Sequence, residues 1–234
     1  MSDSKIIVAL DYPDAESAQS FVNTISPENC KLKVGKELFT REGPQFVSRL
    51  VEMNFDVFLD LKFHDIPNTV MRACHAAADL GVWMLNVHAL GGRAMLQAGL
   101  EGIDKSSHAP HLIAVTILTS MDDIALTEIG INNSAKRQVS LLAELVRSCH
   151  LHGVVCSAQE ASQLRAESGN SFLLVTPGIR PESADVGDQK RVMTPRQAVE
   201  AGASYLVIGR PITQATDPVS VLSEINHQLE SLTP

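Results

Sequence analysis

The sequence predicts a closed (β/α)8 barrel that forms a single domain over residues 1–234, and three observations support this prediction. Short apolar runs alternate with amphipathic stretches eight times, at a spacing of about 25–35 residues, as a parallel sheet covered by helices requires. The length of 234 residues is typical of one such barrel. No G-x-G-x-x-G pattern follows the first apolar run, where an open dinucleotide-binding sheet would carry one.

The first four units each pair an apolar strand with a helix that has one apolar face. The predicted strands are Lys5–Leu10, Cys30–Gly35, the run from Val57 to Leu61, and Val82–His88. In the predicted helices apolar residues recur at intervals of three and four, as one buried face requires. These helices are Asp14–Ile25, Glu37–Met53, Pro67–Leu80, and a helix opened by Gly91–Gly92 that runs to about Gly102.

The last four units follow the same pattern, with one long interruption. The predicted strands are His111–Leu118, Gly153–Ser157, Phe172–Thr176 and Ser204–Ile208. The predicted helices are Ser134–Ser148, Gln159 to about Glu167, Pro195–Ala201 and Asp217–Leu232. The interruption is a loop rich in Gly, Pro and Asp, from Pro177 to about Thr194, after the seventh strand.

Composition and charge exclude several classes of function. The net charge of −8 argues against a broad nucleic-acid surface, although it leaves room for a local basic pocket. No apolar run approaches the ~20 residues that span a bilayer. The four cysteines form no C-x-x-C pair, and with no signal peptide they predict reduced thiols and a cytoplasmic protein: Cys30, Cys74, Cys149 and Cys156.

A charged motif ends the third strand, within FDVFLDLKFHDIPNT (Phe55–Thr69). Asp60 and Lys62 are two residues apart, so on a strand they point to the same face. Asp65 follows in the turn. A structural salt bridge would explain an Asp-x-Lys pair, but the second strand brings a lysine, Lys33, to the same rim, with Lys31 on the same face. A shared charged site is therefore the alternative hypothesis.

The rim at the carboxyl ends of the strands, where such barrels bind substrate, carries two kinds of residue. Strands one to five end in polar side chains: Asp11, Lys33, Asp60, Lys62, His88, Thr119 and Ser120. Strands seven and eight end in TPGIRP (Thr176–Pro181) and IGRPIT (Ile208–Thr213). Glycine N–H groups, a helix start and an arginine suit a phosphate, although a capped helix start explains either segment alone. Together they predict a small phosphorylated substrate.

The histidines do not predict a metal centre, because no Cys/His ligand set is visible. His64 is interpreted as a turn residue. His88 is either a packed histidine or, as in a related barrel, a metal ligand. Trp83 and the methionines are interpreted as core residues.

These motifs resemble those of the orotidine 5′-phosphate decarboxylase family, in its bacterial group. The central match is DLKFHDIPNT (Asp60–Thr69). The other matching blocks are VALDY (Val8–Tyr12), LKVGKELF (Leu32–Phe39), NVHA (Asn86–Ala89), IAVTILTSM (Ile113–Met121), GVVCSAQEA (Gly153–Ala161), LVTPGIRP (Leu174–Pro181) and VIGRPIT (Val207–Thr213). Asp-x-Lys-x-x-Asp alone is shared with related sugar-phosphate decarboxylases and synthases, whereas the blocks taken together are specific.

The resemblance implies cofactor-independent and metal-independent conversion of orotidine 5′-monophosphate to UMP and CO2, in a homodimer with active sites at the interface. It implies that Lys62 protonates C6, in a charged array with Lys33, Asp60 and Asp65 of the partner subunit. The other implied substrate-binding residues are Asp11, Ile66, Thr69 of the partner subunit, Thr119 with Ser120 nearby, Pro177, Arg180, Gln189, Gly209 and Arg210. The loop Pro177–Thr194 is similar to the family's lid, which closes through Gln189.

The residues by themselves are also compatible with three other functions. A metal-dependent 3-keto sugar-phosphate decarboxylase or epimerase would use the same Asp–Lys cluster. A non-catalytic nucleotide-binding barrel would keep the phosphate site. A Schiff-base aldolase would use Lys62 as a neutral amine, but flanking aspartates favour the charged ammonium form.

Overall fold

The computed structural model describes residues 4–181 and 193–232, and its eight parallel strands close into a barrel in chain order. This confirms the predicted (β/α)8 fold. The strands are β1 (Ile6–Ala9), β2 (Lys31–Gly35), β3 (Val57–Phe63), β4 (Met84–His88), β5 (His111–Val115), β6 (Gly153–Val155), β7 (Leu173–Thr176) and β8 (Tyr205–Ile208).

Helices follow the strands and cover the outside of the barrel. They are α1 (Ala15–Val22), α2 (Lys36–Glu52), α3 (Pro67–Ala78), α4 (Gly92–Asp104), α5 (Asp123–Glu128), α6 (Ala135–Ser148), α7 (Ala158–Ser168), α8 (Pro195–Glu200), α9 (Arg210–Thr213) and α10 (Pro218–Glu230). The short helices α5 and α9 were not predicted from the sequence. Both have too few residues for an apolar face to show a period.

The predicted end of the sixth strand was wrong for a local reason. The strand stops at Val155, because Ser157 caps α7 instead of continuing β6. The hydroxyl of Ser157 accepts a hydrogen bond from the N–H of Gln159, and Glu160 accepts one from the N–H of Ser157. This reciprocal capping arrangement fixes the start of α7. The fifth strand likewise ends at Val115, three residues before its predicted end at Leu118.

The alternation of side chains along the strands separates two apolar clusters. One fills the inside of the barrel and includes Ile7, Phe58, Met84 and Val175. The larger cluster lies between the strands and the helices, and it takes the alternate residues such as Leu59 and Leu85. The predicted facing of β3 is thus confirmed, since Leu59 and Leu61 pack outward while Phe58 lies inside.

The lysines of β2 point to the inside of the barrel at two different levels. Lys31 lies nearer the start of the strand, where its Nζ is 2.7 Å from Asp56 Oδ2 and 4.7 Å from the centre of the Trp83 ring. Lys33 lies nearer the carboxyl end. Lys31 therefore places a paired charge inside the barrel, whereas Lys33, two residues later on the same strand, places a charge near the rim.

The second helix contains a break that its sequence pattern did not indicate. Gly43 has φ 69° and ψ −168°, so the helical backbone is interrupted there and resumes from Pro44. A positive φ suits glycine, and proline suits the first turn of a helix. The apolar face nevertheless continues across the break through Phe46, Val47 and Leu50.

No helix in the described part of the chain is long and apolar enough to cross a membrane. All four cysteines lie in the described residues, where they are buried and not joined by disulfides. The cytoplasmic location stays a prediction from the sequence.

Candidate active site

Lys33, Asp60 and Lys62, which the sequence predicted to share a site, lie together at the carboxyl ends of β2 and β3. Lys62 Nζ lies 2.5 Å from Asp60 Oδ1, and Lys33 Nζ lies 3.4 Å from Asp60 Oδ2. Lys33 Nζ is also 3.3 Å from Asp11 Oδ1, at the end of β1. The result is a chain of alternating charges, Asp11–Lys33–Asp60–Lys62, across three adjacent strands.

An irregular stretch of β3 positions Lys62. The β3–β4 ladder pairs Leu59 with Leu85 and next pairs Phe63 with Val87, so an advance of four residues on β3 is matched by two on β4. Within this bulge Lys62 has φ 55°, in the left-handed region. Simple strand alternation therefore predicted the right face for Lys62 without giving its actual backbone conformation.

Asn86 on β4 is a buried polar residue that sequence reasoning missed. Its Nδ2 donates to Asp60 Oδ1 (2.7 Å), and its Oδ1 accepts from the backbone N–H of Lys62 (2.8 Å). Its side chain is fully buried. The signal in the sequence was an amide in the middle of the apolar run VWMLNVH (Val82–His88).

The electrostatics of the array keep Asp60 ionised. Burial, the largest single influence, raises the pKa of Asp60, but it is outweighed by the ammonium groups of Lys33 and Lys62 and by hydrogen bonds from Lys62 and Asn86. The pKa of Asp60 is therefore lowered from its ordinary value.

A cavity of about 190 Å³ adjoins the array. Its lining residues come from the ends of the first three strands and the start of α2: Leu10, Asp11, Lys33, Gly35, Lys36, Glu37, Leu38, Asp60 and Lys62. A Cβ atom at Gly35 would lie 3.2 Å from Lys33 Nζ. The glycine thus leaves room for the Lys33 ammonium group at the wall of the cavity.

The two arginines predicted to bind phosphate lie near each other after β7 and β8. The pKa of Arg180 is lowered from its ordinary value, first by burial and second by the positive charge of Arg210. The guanidinium of Arg180 donates to the carbonyl of Ile179 (2.9 Å). Like charges held together in this way would be stabilised by a bound anion.

Gly209 connects the arginine end of the rim to the charged array. It precedes α9, and a Cβ at this position would lie 3.6 Å from Asp11 Oδ2. The predicted phosphate end therefore neighbours Asp11, for which the resemblance implies contact with the substrate. Pro177, which directly follows β7, is half-buried, whereas Gln189 lies outside the described residues.

Three predicted site residues lie on the turn after β3 and at the start of α3. Asp65, Ile66 and Thr69 are exposed, and Ile66 is 66% exposed. Within the described residues, Asp65 Oδ1 accepts only the N–H of Ile66 (2.7 Å) and forms no ion pair with either lysine. Thr119 is half-buried and Ser120 exposed in the loop after β5.

His88, at the end of β4, is a packed histidine beside the array. Its ring centre is 5.5 Å from that of His64, which follows β3 as an exposed residue. Burial, and then the positive charges of His64, Lys36 and Lys62, lower the pKa of His88 to about 4. The ring is therefore neutral at pH 7. No group of three or more His, Cys, Asp or Glu side chains in the described ranges is arranged to hold a metal ion.

Comparison with known families relates the sequence of this chain to one of them. The sequence model of the Orotidine 5'-phosphate decarboxylase / HUMPS family matches residues 4–225. The chain belongs to this family. The resemblance predicted from the motifs is thereby confirmed over nearly the whole sequence.

Named relatives of this family are similar along their full length. The orotidine 5'-phosphate decarboxylase of Hydrogenovibrio crunogenus is 59% identical over 224 residues, which cover 96% of this chain and 95% of the relative. That of Pseudoalteromonas translucida is 57% identical over 227 residues, with 97% of each chain covered. The crystal structure of orotidine 5'-phosphate decarboxylase from Lactobacillus acidophilus superposes with a TM-score of 0.87 and 38% identity, over 97% of this chain and 99% of that one.

Proposed function

We propose that this protein is an orotidine 5′-phosphate decarboxylase, a carboxy-lyase that converts orotidine 5′-monophosphate to UMP and CO2 in pyrimidine biosynthesis. The observation that carries the proposal is the Lys33–Asp60–Lys62 array, at the catalytic rim of a barrel that belongs to this family. Relatives at 57–59% identity carry this name.

The chemistry needs a positive charge close to one carbon atom. When C6 of the pyrimidine loses CO2, the electron pair stays in the plane of the ring, where the π system cannot accept it. An ammonium group at Lys62 would stabilise this developing carbanion and then donate a proton to C6. Asp60 is ionised, and its Oδ1 lies 2.5 Å from Lys62 Nζ, so this charge-assisted contact fixes the direction of the ammonium group.

One ion pair is too weak to account for the reaction. Two unit charges ~4 Å apart interact by about 4 kcal/mol at an effective dielectric constant of ~20. Slow uncatalysed reactions can require their barriers to be lowered by ~20 kcal/mol or more. We therefore infer that binding of the remote phosphate contributes, by closing the site, excluding water and organising the charges.

The arginine end of the rim lies next to Asp11 of the charged array, and this supports the following assignment of substrate groups to residues. Arg180, Gly209 and Arg210 would hold the phosphate, while Asp11 and Lys33 would bind the ribose hydroxyls. Thr119 would contact the base. Ile66 and Pro177 would complete the pocket, and Gln189 would join the phosphate when the loop closes.

We further propose a homodimer with shared active sites. Asp65 and Thr69 are exposed, Asp65 forms no ion pair with a lysine of its own subunit among the described residues, and Ile66 beside them exposes two thirds of its surface. A partner subunit that covers this turn would remove the apolar side chain of Ile66 from water. In this arrangement Asp65 of the partner subunit completes the charged array.

A spectrophotometric assay of orotidine 5′-monophosphate in the presence of EDTA tests the function. We expect UMP formation that the chelator does not change. Activity abolished by EDTA would instead favour the metal-dependent sugar-phosphate enzymes, and tight UMP binding without release of CO2 would indicate a non-catalytic barrel. Borohydride trapping of a substrate adduct would indicate an aldolase.

A further inference from the structure

We infer that Asn86 is a positioning residue for the decarboxylation, which acts by holding both the Lys62 backbone and the Asp60 carboxylate. The inference rests on the proposed function. Asn86 lies in the middle of β4 and contacts the array through both atoms of its amide, at 2.8 Å from the Lys62 nitrogen and 2.7 Å from Asp60 Oδ1. No other residue in the described ranges bonds to both members of this pair.

The two contacts require an amide in one orientation. The backbone N–H of Lys62 can only donate, and the ionised carboxylate of Asp60 can only accept. Asn86 must therefore direct its oxygen to Lys62 and its NH2 to Asp60. A carboxylate of the same shape would satisfy the first contact but would oppose Asp60 with a second negative charge.

The bulge in β3 explains why such a residue is needed. Between the Leu59–Leu85 and Phe63–Val87 pairs the regular ladder is interrupted, and the N–H of Lys62 donates to the side chain of Asn86. A left-handed φ of 55° is disfavoured for a residue with a Cβ and persists only where its surroundings hold it. The side-chain oxygen of Asn86 accepts this N–H within the bulge and so holds the backbone that places the Lys62 side chain.

The charges that face Asn86 come mainly from β3. Asp60 and Lys62 contact it directly, and Lys33 on β2 reaches it through Asp60. On the other side its register partner on β5 is the apolar Ile113. His88, two residues further along β4, is neutral at pH 7. A charge introduced at position 86 would therefore act on Asp60 first.

The test compares Asn86→Asp and Asn86→Ala with wild type in kcat, KM and UMP binding from pH 5 to pH 8. At pH 8 we expect both variants to lose about a hundredfold in kcat, because the ammonium group is misplaced, with UMP binding much less affected. Toward pH 5 the introduced carboxyl becomes protonated and again offers one donor and one acceptor. The activity of Asn86→Asp relative to wild type should then recover by about tenfold, whereas that of Asn86→Ala should not.

Thr116→Val is the matched control for loss of a buried hydrogen bond in the same barrel. Thr116 is fully buried, and its hydroxyl donates to the carbonyl of Val155 (3.1 Å). We expect this variant to melt at a lower temperature with unchanged kcat. Circular dichroism at each pH shows whether the variants are folded. If Asn86→Ala does not fold, Asn86→Asp at two pH values carries the test alone.

Two results would overturn the inference. One is wild-type kcat for Asn86→Asp at pH 8, and the other is a loss of the same size at every pH, which would indicate a merely structural role. An active wild type with either result refutes the positioning role alone. A wild type that releases no CO2 refutes the proposed function as well.

Discussion

Lys62 Nζ lies 2.5 Å from Asp60 Oδ1, although the backbone between the two residues departs from regular strand geometry. The contact joins an ammonium group on an irregular stretch to a carboxylate held by Asn86 and faced by Lys33. Lys62 has considerably more exposed side-chain surface than Lys33, 25% against 10%. It is therefore the lysine of the array that is more accessible to a bound substrate.

Lys62→Ala should abolish the chemistry and leave ligand binding measurable. Loss of a positioned proton donor typically lowers a rate by about a hundredfold to ten thousandfold, and in the proposed mechanism the same group would also stabilise the carbanion. The measurements are single-turnover decarboxylation and UMP binding by calorimetry, with the exposed Lys136→Ala on α6 as the control. More than about a hundredth of the wild-type rate in Lys62→Ala would exclude this lysine as the proton donor.

Arg210→Ala should lower kcat/KM by several hundredfold or more with both lysines intact. Among the groups of the substrate, this arginine would contact only the phosphate, so a large loss would mean that remote binding energy supports the reaction. Steady-state kinetics of this variant are compared with those of Arg147→Ala, which removes a surface arginine paired with Glu144 (2.7 Å). Near-normal kcat/KM in Arg210→Ala would refute the remote-binding argument.

Asp60→Asn should destabilise the fold in a pH-dependent manner. It leaves two lysines without the carboxylate that lies between them, and removing one member of a buried ion pair typically costs about 3–5 kcal/mol. Because the pKa of Asp60 is lowered in the folded state, its stabilisation is present above the unfolded-state pKa of about 4 and is lost as the pH falls through the folded value.

Urea unfolding of wild type and Asp60→Asn at pH 7 and near pH 3 measures this effect. The difference in the free energy of unfolding should be large at pH 7 and should shrink at the lower pH. An equal difference at both pH values would contradict the assignment of an ionised Asp60.

His88 should stay neutral throughout the physiological pH range. Its folded-state pKa of about 4 lies below the unfolded value of about 6.5, so the unfolded chain binds more protons between these values. The contribution of His88 to stability is therefore complete above about pH 6.5 and is lost as the pH falls toward 4. NMR of the ring protons should show no titration of His88 from pH 6 to pH 8.

Mixed dimers test whether Asp65 acts on the other subunit. Lys62→Ala and Asp65→Asn should each be nearly inactive, but dimers reassembled from both contain one intact site. With random pairing, roughly a quarter of all sites should recover. Mixing Lys62→Ala with Asp60→Asn is the control, since both residues belong to one subunit's array and no site is restored. Absence of recovery in the first mixture would show that Asp65 does not act in trans.

The sequence by itself determined the barrel, the facing of its strands and the position of the charged array. Apolar runs repeat eight times, and alternation along β2 and β3 places Lys33 and Asp60 inside while Leu59 packs outward. These features depend on local periodicity, which a single chain displays directly. The segments after β7 and β8 were predicted as a phosphate site from their glycines, helix starts and arginines, and from their place in the barrel.

Only the tertiary structure decided how the array is held. The break at Gly43, the short helices α5 and α9, and above all the bulge that gives Lys62 its left-handed backbone depend on how neighbouring elements pack. Asn86 is 24 residues from Lys62 in the chain, and its role follows from a contact between β3 and β4 that no local pattern reveals. The charged residues can be recognised in the sequence. The residues that hydrogen-bond to them and fix their positions become neighbours only when the barrel closes.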